Sequence, residues 1–339
     1  MKTPQRILLA HGSGGALSHE LVRDVFLRAF YNPSLAPMAD AALMDQLPPG
    51  RLALTTDSYV VQPLFFPGGN IGELAICGTV NDLAVMGAQP LYLTAGFILE
   101  EGLHIETLER VVMAMAETAQ QAGVQIVTGD TKVVDRGAAD GMFINTAGVG
   151  VVPLGIDLGP QRLQPNDLIL INGTIGDHGM AVMMQREGMN FGSALESDTA
   201  PLNELLAALL ATLPGQIHWM RDVTRGGLAT VLNEWAESAQ MGIELDEVKI
   251  PVREEVRAAC EFLGLDPLYA ANEGKVVVAV AAEAAEAALE VLQRHPMGSQ
   301  AAKIGRISTA NPGRVVLNTP YGARRIVQML TGAQLPRIC

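Results

Sequence analysis

The sequence predicts two domains built from alternating strands and helices, followed by a C-terminal tail. The chain has 339 residues, which is longer than one ordinary domain. Hydrophobic residues make up 49% and charged residues 17%, so the chain can fill two cores and is not disordered. The apolar patterns of strands and helices alternate up to about residue 150, and they resume after a turn-rich stretch at 152–167.

In the first half, short apolar runs predict strands, and apolar residues spaced three and four apart predict helices. The first strand is expected at 6–10, and a glycine-rich loop follows at 11–15. A helix then begins near Ser18. The remaining strands are expected at 52–56, 91–98, 124–128 and 142–151, and the remaining helices at 71–86 and 105–122.

The second half repeats this alternation without repeating the sequence. After Tyr321 no regular pattern remains, so a flexible tail is expected. The strands are expected at 168–172, 243–245, 276–280 and 314–317, and the helices at 201–213, 226–239, 252–263 and 284–294. The predicted division is therefore a domain at 1–154, a domain at 155–321 and a tail at 322–339.

Charge and composition exclude several classes of function. The net charge is −13, from 36 acidic and 23 basic residues, and an acidic surface repels nucleic acid. No apolar run reaches the roughly 18 residues of a membrane span, and the apolar stretch at 7–10 is too short for a signal peptide. The three cysteines cannot form a disulfide framework, and Cys77 and Cys260 lie in apolar patterns that predict burial. We therefore expect a cytoplasmic protein.

The loop that contains Gly12, Ser13, Gly14 and Gly15 lies between a predicted strand and a predicted helix. Backbone N–H groups in such a loop can bind phosphate. The loop lacks the third glycine of a dinucleotide fingerprint and the Gly-Lys-Ser/Thr of a P-loop. A nucleophile elbow at Ser13 would need glycine at position 11, where this chain has His11. A tight turn and an anion site both remain open interpretations.

Acidic residues recur at predicted strand ends and turns, at Asp40, Asp57 and Asp130, and Asp82 lies within an apolar helix. A carboxylate in an apolar helix is costly unless it is paired or bound to a metal. Proteins commonly bind Mg²⁺ through carboxylates together with the phosphates of a nucleotide. The alternative is that Asp57 and Asp130 form turns and Asp82 forms a salt bridge. Taken together with the glycine-rich loops, the set favours metal–phosphate binding.

Further polar groups lie beside predicted strands. Lys132 follows Asp130 and could neutralise developing charge on a phosphoryl group, or it could be a surface lysine. Glu273 precedes the apolar strand at 276–280. Its carboxylate could belong to a functional site, or Glu273 could be a solvated turn residue. No role is assigned to four residues in the loops of the second half, which are Asp177, His178, Asp222 and Arg225.

The last residue, Cys339, follows Leu335-Pro336-Arg337-Ile338. It is not a prenylation site, because that motif places its cysteine four residues from the end. One interpretation is that Cys339 is an incidental terminal residue without a function. An exposed thiol is a chemical liability, however, so its position suggests a use.

Six segments together resemble the HypE family of hydrogenase-maturation carbamoyl dehydratases. The match runs from end to end, and the terminal Pro-Arg-Ile-Cys is specific to that family. The motifs that contain aspartate are shared with the wider AIR-synthetase-like (PurM-like) superfamily. The segments are His11-Gly12-Ser13-Gly14-Gly15, Thr56-Asp57-Ser58-Tyr59-Val60, Phe66-Pro67-Gly68-Gly69-Asn70-Ile71-Gly72, Gly78-Thr79-Val80-Asn81-Asp82-Leu83-Ala84, Gly129-Asp130-Thr131-Lys132-Val133-Val134 and Pro336-Arg337-Ile338-Cys339.

This resemblance implies an α+β, PurM-like fold. Its N-terminal ATP-binding domain would form an intersubunit β-barrel in a homodimer, and an α+β C-terminal domain and the flexible tail would follow. It implies that ATP drives dehydration of an S-carbamoyl group on Cys339 to S-cyanate. HypF would load the carbamoyl group, and a HypC–HypD complex would accept the cyanide for the iron of [NiFe] hydrogenase.

The residues fit this chemistry. ATP can phosphorylate the carboxamide oxygen, so that phosphate becomes the leaving group. Two N–H protons must also leave, which calls for a base, and Glu273 is the candidate that the resemblance supports. Lys132 would stabilise charge on the phosphoryl group or the amide oxygen, and the backbone of 12–15 would bind the phosphates. The expected Mg²⁺ ligands are Asp40, Asp57, Asp82 and Asp130, of which the last three would also contact the nucleotide.

Three other functions were weighed against this one. A related ATP enzyme acting on a small substrate would not need the terminal cysteine. A thiol carrier or scaffold would need the cysteine but not the acidic residues. An NAD-dependent dehydrogenase is disfavoured because the loop at 11–15 lacks the dinucleotide fingerprint.

Overall fold

The computed structural model describes residues 5–44, 46–189, 195–330, 332 and 338. In the first half, β1, β6, β4 and β5 form one sheet in that order, and β4 and β5 are the parallel neighbours. A π-helical turn at Val22–Leu27 joins α1 to α2. The strands are β1 (Arg51–Tyr59), β2 (Phe65–Phe66), β3 (Gly69–Asn70), β4 (Gln89–Glu100), β5 (Gln125–Val134) and β6 (Met142–Val152), and the helices are α1 (Ala16–Leu21), α2 (Arg28–Phe30), α3 (Ile71–Val85) and α4 (Ile105–Ala122).

The second half forms a larger sheet with helices on both faces. Its strand order is β13-β12-β9-β11-β7-β10-β8, in which β12 and β9 are the parallel pair. The strands are β7 (Leu168–Ile171), β8 (Ile217–Asp222), β9 (Gly242–Asp246), β10 (Val276–Val280), β11 (Ala302–Ser308), β12 (Val315–Asn318) and β13 (Arg324–Val327). The helices are α5 (Asp177–Glu187), α6 (Asn203–Thr212), α7 (Gly227–Ala239), α8 (Glu254–Leu263) and α9 (Ala285–Arg294).

The side chains of β10 divide between two cores. Val277 and Ala279 pack in a cluster with Trp235 of α7, whereas Val276 and Val278 pack in a cluster with Leu205 of α6. Successive side chains of a strand point to opposite faces, so a strand covered on both sides is apolar throughout. This is why the run at 276–280 is apolar at every position.

Helix α3 lies at the junction of the two halves. It packs against β1 and β6 on one side and against α6 and β8 on the other, which buries nearly all of its residues. Its N-terminus is capped by Asn70, whose Oδ1 accepts the N–H of Gly72 at 2.8 Å. A polar side chain on α3 therefore lies against protein, whichever side of the helix it is on.

The structure confirms the predicted α+β fold and most of its elements. Helix α4 and strand β10 have the bounds that the patterns predicted. The predicted strand at 6–10 is wrong, because residues Leu9–Gly12 form a 3₁₀ turn after a single bridge between Arg6 and His104. The side chain of His11 closes this turn by accepting the N–H of Leu8 at 2.9 Å.

Several elements were not predicted from the sequence. Strand β13 pairs with β12, so the expectation that no regular element follows Tyr321 is wrong at Arg324–Val327. Arg324 and Arg325 interrupt the apolar pattern from which a strand is predicted. Helix α5 was missed because its first six residues, Asp177 to Val182, are all buried and show no amphipathic alternation. The other unpredicted strands are β2, β3, β8 and β11.

None of the helices within the described ranges combines the length and apolar composition that a membrane crossing requires.

Candidate active site

A cavity of about 40 Å³ lies where the two halves meet, and acidic side chains line it. Asp57 comes from β1 and Asp82 from α3. Asp222 ends β8, and Glu273 precedes β10. Residues more than 200 positions apart in the chain therefore share one small space. Its other lining residues are Ser58, Tyr59, Gly78, Thr224 and Arg225.

Asp82 points from α3 towards the first sheet. Its Oδ2 accepts a hydrogen bond of 2.7 Å from the hydroxyl of Thr55 on β1. Burial raises the pKa of Asp82, and the hydrogen bond from Thr55 opposes part of that rise. Among the described residues Asp82 forms no ion pair, so the structure does not show the salt bridge that was the alternative interpretation.

Asp222 and Glu273 are the most buried carboxyl groups of this cavity, at 8% and 4% exposure. Burial, and then the charge of Asp82, raises the pKa of Asp222 to about 7. Burial also raises the pKa of Glu273 well above its ordinary value, and the charges of Asp198 and Asp222 add to that rise. A carboxyl group with such a raised pKa is suited to accept a proton near neutral pH.

The loop that carries Glu273 is fixed by Asp198. The carboxylate of Asp198 accepts the N–H groups of Glu273 at 3.1 Å and Gly274 at 3.2 Å, and it pairs with Lys275 at 2.8 Å. Gly274 is required here, because a Cβ at that position would overlap the carbonyl oxygen of Asp198. The Glu273 side chain is thus held on a rigid backbone.

The sequence did not identify Tyr59 and Gly78 as parts of this cavity. The hydroxyl of Tyr59 is buried and has no hydrogen-bond partner among the described residues. A Cβ at Gly78 would overlap that hydroxyl, so the glycine leaves room for it. The segment Thr56–Val60 belongs to a recognised motif, but the motif does not reveal that the Tyr59 hydroxyl faces this cavity.

A second and larger cavity, of about 350 Å³, lies beside the glycine-rich loop. Gly12 and Gly14 line it, together with Asp130 and Lys132 of β5. Its remaining wall is largely apolar and includes Val22, Phe26, Phe30, Phe97 and Ile126. Such a space can hold an aromatic base against the apolar wall and place polar groups near the loop.

The charged pair at this second cavity is exposed. Lys132 and Asp130 form an ion pair of 2.7 Å, with side chains 66% and 67% exposed. The Lys132 side chain lowers the pKa of Asp130 through its hydrogen bond. The backbone N–H of Gly14 donates to the hydroxyl of Ser18 at 3.0 Å, whereas Ser13 and Gly15 lie exposed on the same loop.

The predicted metal ligands do not gather at one place in this chain. Asp57 and Asp82 share the first cavity, Asp130 lies at the second, and Asp40 is exposed and lines neither. Within the described ranges, no three His, Cys, Asp or Glu side chains are arranged to hold a metal ion. The carboxylates of Asp57 and Asp82 still fit Mg²⁺, which often uses one or two carboxylates together with phosphate oxygens and water.

Ile338, the residue before Cys339 in the chain, is buried in the protein. Cys339 itself, like 333–337, lies outside the described residues, but Ile338 is described and is 5% exposed. The Ile338 carbonyl oxygen lies 2.7 Å from Nε2 of the buried His178. Ile338 belongs to the same apolar cluster as Ala271, two residues before Glu273. The residue after His178, Gly179, donates its N–H to the carbonyl of Ala271 at 3.0 Å, so Ile338 lies close to the loop that carries Glu273.

Both halves match models of one enzyme class. The model described as AIR synthase related protein, N-terminal domain, matches residues 38–152, and the C-terminal domain model matches residues 164–318. The fold and the site thus define a member of the AIR synthase related, PurM-like proteins.

Similar proteins narrow this class. The Carbamoyl dehydratase HypE of Azotobacter vinelandii is 52% identical over 331 residues, which cover 98% of this chain and 96% of that protein. A crystal structure of hydrogenase maturation protein HypE in complex with ATP has 52% identity and a TM-score of 0.93, covering 98% of this chain and 99% of that one. In a crystal structure of a HypE–HypF complex, the matching chain has 50% identity and a TM-score of 0.80, with 93% and 100% coverage. The chain belongs to the HypE family of carbamoyl dehydratases.

Proposed function

We propose that this chain uses ATP to dehydrate an S-carbamoyl group on its own Cys339 to S-cyanate. The product would supply the cyanide ligand for the iron of [NiFe] hydrogenase. The observation that carries the proposal is that Ile338, the neighbour of Cys339 in the chain, is buried in the same apolar cluster as Ala271. Glu273 follows Ala271 by two residues, and its environment suits a base.

ATP supplies the driving force of the reaction. The amide oxygen of the carbamoyl group attacks the γ-phosphorus, and the bond from that phosphorus to the bridging oxygen breaks, releasing ADP. The C–O bond then breaks with loss of phosphate, while two N–H protons leave and the carbon–nitrogen triple bond forms. Glu273 accepts one of these protons, and the other leaves with the released phosphate. The burial of Glu273 favours its role, because a raised pKa makes it a stronger base than an exposed carboxylate.

The nucleotide site is proposed at the cavity beside the glycine-rich loop. The backbone of 12–15 would contact phosphates, and the wall formed by Phe26, Phe97 and Ile126 would contact the base. Lys132 would leave its pair with Asp130 to stabilise charge on the transferred phosphoryl group or the amide oxygen. The crystal structure of a HypE protein in complex with ATP supports a nucleotide site in this family.

Mg²⁺ is proposed as the partner of the nucleotide. Asp57 and Asp82 would hold it from the first cavity, whereas Asp130 of the same chain lies at the second cavity and could only contact a separate ion there. Asp40 remains a proposed ligand only as one of the recurring acidic residues, because its side chain is exposed and lines neither cavity, although the adjacent Ala39 lines the second. The ion would neutralise charge on the phosphates during transfer.

A second copy of the chain is proposed to cover the open face of the first sheet. Leu52 and Leu54 are 61% and 74% exposed on the face of β1 opposite to Thr55, which faces α3. Apolar residues exposed in a row on a strand are typical of an interface. A dimer would place the second chain beside the sheet that carries Asp57 and Asp130.

The other proposed partners follow the route of the carbamoyl group. HypF would load Cys339, and the complex of a related HypE with HypF supports this pairing. A HypC–HypD complex would receive the cyanide. We propose that these steps take place in the cytoplasm, where thiols such as Cys339 stay reduced.

Intact-mass measurement tests the reaction directly. Carbamoylated protein should lose the mass of one water when ATP and Mg²⁺ are added, and it should not change with ADP. Cys339→Ala should fold and bind ATP but take up no carbamoyl group, which serves as the control. A carbamoyl adduct that stays intact with ATP, or that forms equally on Cys339→Ala, would contradict the proposal.

A further inference from the structure

His178 is a fully buried histidine with a hydrogen bond at each ring nitrogen. It is the second residue of α5, and its Nε2 lies 2.7 Å from the carbonyl oxygen of Ile338. Its Nδ1 lies 2.8 Å from the hydroxyl oxygen of Ser197. The edge of its ring also packs against Phe66, with ring centroids 5.4 Å apart. His178 thus links Ile338 to α5 in the second half and to Phe66 in the first.

The hydrogen bonds determine where the proton of His178 lies. A carbonyl oxygen can only accept, so Nε2 must carry the hydrogen. Nδ1 of the neutral ring then accepts from the Ser197 hydroxyl, whose oxygen receives the N–H of Thr199 at 3.2 Å and lies 2.7 Å from the Thr199 hydroxyl. Burial lowers the pKa of His178 and so favours the neutral ring, although the charge of Asp198 opposes this shift.

The same short segment also positions Glu273. Ser197 sets the tautomer of His178, and the next residue, Asp198, holds the backbone of Glu273. The N–H of Ser197 donates to the carbonyl of Pro67 at 2.8 Å, which ties the segment to the first half. The contact with Ile338 and the loop of Glu273 are therefore parts of one hydrogen-bonded frame.

We infer that His178 is a positioning residue that docks the C-terminal segment by donating its Nε2–H to the Ile338 carbonyl, with Ser197 fixing the donor tautomer. The inference rests on the proposed function, in which Cys339 carries the reacting group. A donor fixed by Ser197 limits the positions that the last residue can adopt relative to Glu273. Such restriction favours a reaction whose atoms must lie within about 3–3.5 Å of each other.

Alkylation of the cysteines tests docking without requiring any carbamoyl chemistry. Full-length protein is treated with iodoacetamide, and the modification rate of each cysteine is followed by peptide mass spectrometry. His178→Asn and His178→Phe remove the donor at the Nε2 position, so Cys339 should react about 2- to 12-fold faster, as expected for the loss of one hydrogen bond. His178→Gln can place an amide N–H near that position and should stay close to the wild type.

Cys77 and Cys260 serve as internal controls for folding. Both are 1% exposed, and burial raises the pKa of Cys77 well above its ordinary value and that of Cys260 to about 11. They should react slowly in every variant. His218→Gln is the matched control, because His218 is a buried histidine of the same half that pairs with Asp167 at 2.7 Å. It should leave the rate at Cys339 unchanged.

The outcomes separate docking from the proposed reaction. Unchanged reactivity of Cys339 in His178→Asn and His178→Phe would overturn the inference, as would equal acceleration of all three cysteines in every His178 variant. Single-turnover dehydration should slow in His178→Asn but not in His178→Gln. If Cys339 reacts as expected in all variants but the wild type never loses water from the carbamoyl adduct, docking stands and the proposed function fails.

Discussion

The carboxylate of Asp198 lies 2.8 Å from the ammonium group of Lys275, and the two side chains are only 4% and 7% exposed. Removing two charges from water is costly unless each has a partner. Here the carboxylate also accepts the backbone N–H groups of Glu273 and Gly274, so the pair is satisfied and holds the candidate base in place. The stability of this pair and the position of Glu273 are therefore linked.

Asp198→Asn should reduce the free energy of unfolding by about 3–5 kcal/mol, because it leaves the Lys275 charge buried without a counter-charge. Urea unfolding measures the change. Asp246→Asn is the matched control, since Asp246 pairs with Lys249 at 3.0 Å on the surface, where the loss should be about 1 kcal/mol or less. Equal losses of unfolding free energy in the two variants would show that the buried pair contributes no more to stability than the surface pair.

The contribution of Asp198 should depend on pH. Burial alone raises the pKa of Asp198, but the charge and hydrogen bond of Lys275, together with His178 and the N–H of Glu273, hold the pKa below the ordinary 3.8. A lowered folded-state pKa gives stability that is fully present above the unfolded-state pKa and is lost as the pH falls through the folded-state pKa. The difference between the wild type and Asp198→Asn should therefore shrink when unfolding is measured below about pH 4.

Asp222 should show the opposite dependence on pH. Its pKa is about 7 in the folded state and 3.8 in its ordinary state, so the folded state alone keeps its proton between these values. Stability should then fall as the pH rises through this window, by at most about 1.4 kcal/mol per pH unit. Asp222→Asn should unfold with a weaker pH dependence than the wild type between about pH 4 and pH 7. Parallel profiles for the two proteins would show that Asp222 keeps an ordinary pKa.

Glu273→Gln should accept the carbamoyl group and bind ATP, yet dehydrate about 10²–10⁴-fold more slowly, as expected for a lost general base. Because the pKa of Glu273 is raised, the wild-type rate should increase with pH as the carboxylate forms, and the variant should lose this increase. Single-turnover mass measurements give both rates. Glu283→Gln changes an exposed glutamate and should leave the rate unchanged. Normal conversion by Glu273→Gln would assign the base to another group.

Asp82→Asn should weaken ATP binding at least about 10-fold in the presence of Mg²⁺, because a ligand charge is lost while the side chain still accepts from Thr55. Calorimetric titrations with Mg²⁺ and with EDTA separate the metal from the nucleotide, and the effect should disappear with EDTA. Asp24→Asn, at an exposed pair with Arg23, is the control. An equal loss of affinity with EDTA would indicate that Asp82 acts without the metal.

The local patterns of the sequence identified those elements whose burial has a clear period. Helix α4 shows its apolar stripe, and the apolar run of β10 is uninterrupted, so the bounds of both were predicted. Strand β8 was missed because two of its six residues, His218 and Asp222, are polar and yet buried, and His218 is paired with the distant Asp167. Burial of polar groups depends on the fold, and no local period reveals it.

The sequence by itself determined the family, the two-domain organisation and the candidate residues Glu273, Lys132 and Cys339, because motifs and apolar periods are local properties of the chain. Only the tertiary structure decided which of these residues meet. It brought Asp82, Asp222 and Glu273 to one cavity, separated Asp130 and Lys132 from them, and joined His178 to Ile338 across 160 residues. Hydrogen bonds and charge pairs act over a few ångströms, so distant residues come within their range only when two cores pack against α3.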